Sequence, residues 1–267
     1  MTRYLTGLLC VFTLTAASPA EEPDSQQRSR CERWDRAVCL VTERKKTDGS
    51  GAASSAFLVA HADNLFLITA NHSALETHAH TRVVYRTIEG ESRWVHLGGL
   101  TVAAANPWVQ YENTDLSVLR IAAHPQISMY VDELRELAIP FSALLAELPG
   151  RTTAIEITGF PISLGIQPQV SPLTMTARIA SRELQADAQW GKEAIVYAVP
   201  TVGAGCSGGP VFLASEDASA TSVVGMYIGL MVDTTGAKLS KIIPARILRA
   251  AIEKHPLNQP PAMPDSQ

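Results

Sequence analysis

Three short segments of this chain each carry one side chain that acyl transfer by a hydroxyl requires. Ile68-Thr69-Ala70-Asn71-His72-Ser73 holds a histidine able to exchange a proton near neutral pH. Asn113-Thr114-Asp115-Leu116-Ser117-Val118-Leu119 puts an aspartate just ahead of an apolar run, and Gly205-Cys206-Ser207-Gly208-Gly209-Pro210-Val211 puts a serine in a glycine-rich turn. A serine hydroxyl is a weak nucleophile until a base takes its proton. The base needs an acid to fix its tautomer, and the oxyanion that forms needs donors. His72, Asp115 and Ser207 supply base, acid and nucleophile. Each alone has a plainer explanation: a structural histidine, a turn aspartate, a tight glycine turn. Their joint occurrence carries the reading.

Such residues must be held by a scaffold, and the chain reads as short strands separated by turns. Residues 37–41, 56–60, 65–69, 82–86 and 116–121 are apolar or alternating runs with β-favouring residues. Turn-forming groups such as Thr47-Asp48-Gly49-Ser50-Gly51 and His61-Ala62-Asp63-Asn64 lie between them. A connection at about 124–150 leads to a second set of strands at 154–158, 174–179, 194–198 and 223–227. Many short strands without intervening helices predict an all-β barrel or sandwich. Near the end, Pro244 opens a helical pattern over 244–254, with Ile247, Leu248, Ala251 and Ile252 on one stripe.

The ends read differently. Arg3 followed by the apolar stretch Tyr4–Thr15 and the small residues Ala16-Ala17-Ser18-Pro19-Ala20 predicts a secretory signal at 1–20, cleaved before Glu21. Cys10 does not suit lipid attachment, because Leu9 precedes it where a small residue is needed. Residues 21–36 are polar and predict a flexible lead-in, and the Pro-rich tail at 256–267 predicts disorder. No later run is apolar and long enough for a membrane helix, so the mature chain is expected to be secreted or periplasmic. With 22 Lys and Arg against 26 Asp and Glu, the chain has no basic excess to bind nucleic acid.

The three segments resemble the "TAAH", "DIALL" and "GDSGGP" motifs of the trypsin/chymotrypsin superfamily, in that family's order and with spacings of 43 and 92 residues. Ser54–Val59 is similar to the "GTGFLV" strand before the histidine, and Gly159-Phe160-Pro161 with Leu164-Gly165 to the "GYPLG" turn of bacterial trypsin-like peptidases. Val223–Met226 is similar to the "VVGI" strand after the serine. The resemblance covers about 37–254. It implies two six-stranded antiparallel β-barrels, at about 37–130 and 145–240, and a serine endopeptidase acting on protein or peptide substrates. It also implies an oxyanion hole from the backbone N–H groups of Gly205 and Ser207. Such donors are worth about 2.7–4 kcal/mol each in other enzymes.

Departures from the family pattern refine that expectation. Cys206 stands where trypsin-like zymogens carry an aspartate, no "IVGG" sequence precedes the first barrel, and Ser73 replaces a half-cystine. These changes point to the bacterial branch and to an enzyme that needs no proteolytic activation beyond loss of its signal. Asn71 replaces the family's alanine before the histidine. Thr201, by resemblance at the base of the primary specificity pocket, offers no counter-charge to Arg or Lys. Tyr227 stands where glutamyl endopeptidases place a histidine, so small or medium apolar residues are the expected target.

Other chemistries fit less well. Gly205–Gly209 also satisfies the G-x-S-x-G of α/β-hydrolases, but that fold needs its acid and histidine after the serine, and only His255 follows. A catalytically silent protein on the same fold is the alternative from another class. Cys206 precedes the nucleophile position and is expected to pack as a small hydrophobe. Removal of the signal leaves Cys31, Cys39 and Cys206, an odd number, with a Cys31–Cys39 bridge left open. His78 and His80 lack companions at zinc-like spacing, so neither a metal nor another cofactor is expected.

Overall fold

A computed structural model describes residues 31–42, 52–101, 107–122 and 125–256. The expected signal, the lead-in up to 30, the 47–51 turn and the tail beyond 256 lie outside the described residues.

The first half contributes β1 (Ala37–Thr42), β2 (Ala52–His61), β3 (Asn64–Thr69), β4 (Arg82–Arg86), β5 (Ser92–His96), β6 (Val109–Gln110) and β7 (Ser117–Arg120). They form one antiparallel sheet in the order β5-β4-β1-β2-β3-β7-β6. A short strand, β8 (Ile139–Pro140), adds to β2 in parallel, making eight strands where six were expected. A single turn, α1 (Asn71–Ala74), follows β3. The connection expected at about 124–150 contains α2 (Ser128–Leu137), whose Leu134 and Leu137 pack into the first core. Only those two residues of the helix are buried, so its apolar periodicity is thin.

The second half holds β9 (Ala154–Gly159), β10 (Leu173–Ile179), β11 (Leu184–Ala188), β12 (Gly191–Val199), β13 (Pro210–Leu213), β14 (Val223–Val232) and β15 (Lys238–Pro244). The order is β10-β9-β13-β14-β15-β12-β11, and β10 also pairs with β12. That pairing closes a six-stranded barrel and leaves β11 as the outer arm of a hairpin with β12. The helix α3 (Ala245–Glu253) begins one residue later than expected, because Pro244 is its cap.

The two halves share a core, and this explains the unbroken apolar runs. On β2 and β3, Ala56, Leu58, Leu65 and Leu67 face the interior of the first sheet. Their alternates Phe57, Val59, Phe66 and Ile68 face Ile195, Phe212, Met226, Ile243 and Leu248 of the second half. A strand covered on both faces has no polar side to alternate with. The second barrel has its own filling, including Ile155, Ile157, Val196, Cys206, Val211, Tyr227 and Ile242.

One expectation is corrected and one open question answered. The lead-in is not free as far as residue 36: Arg33–Arg36 forms a 3-10 turn, and Arg33 is fully buried against the second half. Cys31 and Cys39 do not bridge, and all three described cysteines are free thiols. The physical reason is packing: Cys39 faces Phe160 and Val170 of the second half, whereas Cys31 lies against the first core.

Candidate active site

The end of β3 sets the histidine. Ala70 stays extended and caps the single turn that follows, so His72 leaves the sheet edge with its side chain 41% exposed. Asp115, in the loop between β6 and β7, holds that turn at three points. Its carbonyl accepts from Asn71 N at 3.1 Å, Oδ1 accepts from His72 N at 2.9 Å, and Oδ2 lies 2.7 Å from His72 Nδ1. A carboxylate on Nδ1 favours the tautomer with the proton there, leaving Nε2 as the basic nitrogen. Ser117 on β7 donates to Asn71 Oδ1 at 2.7 Å, which accounts for the unexpected Asn71 as a tie between the turn and the strand after Asp115.

Ser207 lies just ahead of β13 in a turn fastened from both halves. Gly208 N donates to Tyr227 O at 2.8 Å and Tyr227 N to Gly209 O at 3.0 Å, anchoring the turn on β14. From the first half, Ser55 N donates to Ser207 O at 2.9 Å and Ser55 Oγ to Gly205 O at 2.8 Å, while Ser55 Oγ accepts from Phe160 N at 3.0 Å. Crowding dictates the glycines. Gly205 has φ +99°, and a Cβ there would sit 2.5 Å from Phe160 O; at Gly208, φ +88°, it would sit 2.1 Å from Ser55 O. Among the described residues, the N–H groups of Gly205 and Ser207 have no acceptor, and no hydrogen bond joins Ser207 to His72.

Cys206 points the other way, fully buried in the second barrel's core, where burial pushes its thiol up to about 12. It is a protonated packing residue at neutral pH. Thr201 is half-buried ahead of the turn. Tyr227 is 1% exposed, and its hydroxyl donates to Val202 O at 3.3 Å. Burial first, and then nearby Cys206, raise its phenol well above the ordinary range. The ring packs in the barrel core with Val202 and Cys206, occupying the space beneath them.

Sequence reasoning had missed two residues at this site. Ser55 was visible only as a small polar residue in a strand, with nothing to mark its reach to a turn 150 residues away. Glu193, buried on β12, accepts the backbone N–H of Asp115 at 3.1 Å across 78 residues. The described residues contain no group of three or more His, Cys, Asp or Glu able to hold a metal ion.

No family model and no curated protein matches the chain. Solved structures do. The Rv3671c protease from M. tuberculosis in its active form superposes with a TM-score of 0.56 at 17% identity, over 95% of this chain and 96% of that one. The MamO protease domain from Magnetospirillum magneticum gives 0.54 at 15% identity, over 82% and 96%. The fold is chymotrypsin-like. The HtrA-type protease AlgW, solved with a tripeptide, gives 0.51 at 15% identity over 85% of this chain, which spans only 63% of AlgW. In this chymotrypsin-like architecture, His72 and Asp115 stand on the first half and Ser207 on the second. No helix among the described residues is long and apolar enough to cross a membrane.

Proposed function

We propose that the chain is an exported serine endopeptidase with His72, Asp115 and Ser207 as its triad. The observation that carries this is the double hold of Asp115 on His72, through backbone and ring, beside a serine turn fixed from both halves. Ser207 Oγ attacks the substrate carbonyl as His72 Nε2 takes its proton, and Asp115 stabilises the imidazolium. The Gly205 and Ser207 N–H groups receive the oxyanion. Collapse of the tetrahedral intermediate breaks the C–N bond, and His72 returns the proton to the amine. Water then attacks the acyl-Ser207 ester with His72 again as base.

Specificity follows from Thr201 and Tyr227. With a neutral threonine ahead of the turn and a phenol ring filling the space beneath it, small or medium apolar residues suit the cleavage site. The segment Arg3–Ala20 supports export.

A silent protease-fold protein is the second reading, favoured by the missing Ser207–His72 hydrogen bond, though such bonds often tighten only with substrate. A fluorophosphonate probe separates the two, since only an activated serine reacts. The mature protein should label and Ser207→Ala should not, with a thermal midpoint within a few degrees of the parent. An unlabelled parent, or labelling that survives in Ser207→Ala, removes the assignment.

A further inference from the structure

The two arms of the proposed triad belong to different halves of the molecule, and no hydrogen bond joins Ser207 to His72 among the described residues. Their register must therefore be set by other contacts. One strap runs from the first half to the nucleophile, through Ser55. A second runs the opposite way. Glu193 on β12 is 1% exposed; its Oε2 accepts the Asp115 N–H at 3.1 Å, and its Oε1 lies 3.0 Å from Lys241 Nζ on β15.

Burying a carboxylate is costly unless both oxygens are satisfied, and here an ammonium takes one and a backbone amide the other. The neighbouring chain supports the same contact. Gly191, at the start of β12 with φ +124°, lies so close to the Asp115 loop that a Cβ there would be 2.8 Å from Asn113 Cβ. Asp115 thus has its amide held by the second half, while its carbonyl and carboxylate hold Asn71 and His72 in the first.

We infer that Glu193 is a positioning residue: it ties the backbone of Asp115 to the barrel that carries Ser207, and so sets the distance between base and nucleophile. Lys241 compensates the buried charge. This rests on the endopeptidase reading for its catalytic consequence, though not for its geometry.

Reach and charge can be separated by substitution. Glu193→Gln keeps an oxygen at the same reach and loses the charge, whereas Glu193→Asp keeps the charge and withdraws the oxygen by one methylene. Positioning predicts a fall in kcat of about 10-fold or more for Glu193→Asp with KM within about twofold, since small misplacements cost up to ~100-fold. Glu193→Gln should stay within about threefold of the parent. A role confined to the ion pair predicts the reverse order. NMR on the same proteins supplies a readout independent of turnover. Exchange of the Asp115 amide should speed up in Glu193→Asp and not in Glu193→Gln, with a matching change in the downfield His72 Nδ1–H signal. Parental kcat in Glu193→Asp, or equal loss in both variants, would overturn the inference. If the parent fails to react with fluorophosphonate, the endopeptidase reading falls, and the amide-exchange order alone decides whether Glu193 positions Asp115.

Discussion

Tyr227 and Ser55 hold different atoms of the nucleophile turn, one from each half of the molecule. Ser55 fixes the carbonyls of Gly205 and Ser207 from the first half, and Tyr227 supports the turn's backbone while its ring fills the ground beneath. Tyr227→Val should open that ground at a stability cost on the order of 2–4 kcal/mol. The ratio of kcat/KM for Phe over Ala at the cleavage site should then rise about 10-fold or more. A ratio is insensitive to the lost stability, and an unchanged one would show that the ring does not limit the substrate. At this scale the sequence was legible where chemistry demands a residue type: a base, an acid, a hydroxyl, glycines. It was silent where a common residue matters through a distant partner. A serine in a strand and a glutamate in an alternating strand look like any others until the fold brings Gly205 and Asp115 to them.

Strands were legible because β-branched and apolar runs between turn residues mark them, and the shared core explains why β2 and β3 run apolar without alternation. The docked end of the lead-in was not legible, since Arg33 and Trp34 in a polar stretch read as solvated. The fold docks them on Glu156, Arg33 buried and Trp34 partly so: Arg33 Nε and Trp34 Nε1 each donate to Oε2 at 2.8 Å, and Arg33 Nη2 donates to Ser215 O at 2.7 Å. Arg33→Met removes the guanidinium from that carboxylate and from the Ser215 carbonyl, and a loss of about 3–5 kcal/mol in urea unfolding is expected. Adding Glu156→Leu should recover part of it, because a buried pair replaced as a unit costs less than one broken. A single variant within about 0.5 kcal/mol of the parent would show that the turn adds nothing to stability.

The whole molecule turns on the seam between its halves, and His255 sits on that seam, its ring 5.5 Å from Phe66 in an edge-on contact. Burial chiefly, and the Arg120 guanidinium next, hold its imidazole below the ordinary 6.5. As pH falls through about 6.5 the unfolded chain takes up this proton before the folded chain does. Stability from this group is therefore full above that value and declines toward the lower folded one. The urea midpoint should drop between about pH 7.5 and pH 5.5, with a shallower slope in His255→Gln. Equal slopes would assign the acid sensitivity elsewhere. The seam also has a consequence in time. Arg33 meets Glu156 and Ser215, Ser55 meets Gly205, and Asp115 meets Glu193, all by closing long stretches of chain. Contacts of that span form late in folding, after local hairpins. On the proposed reading, a chain still being threaded out of the cell, or with only one barrel formed, has a base without a nucleophile or a nucleophile without a base. It cannot cut itself or its neighbours, and the first bond it cleaves marks the moment its own folding is complete.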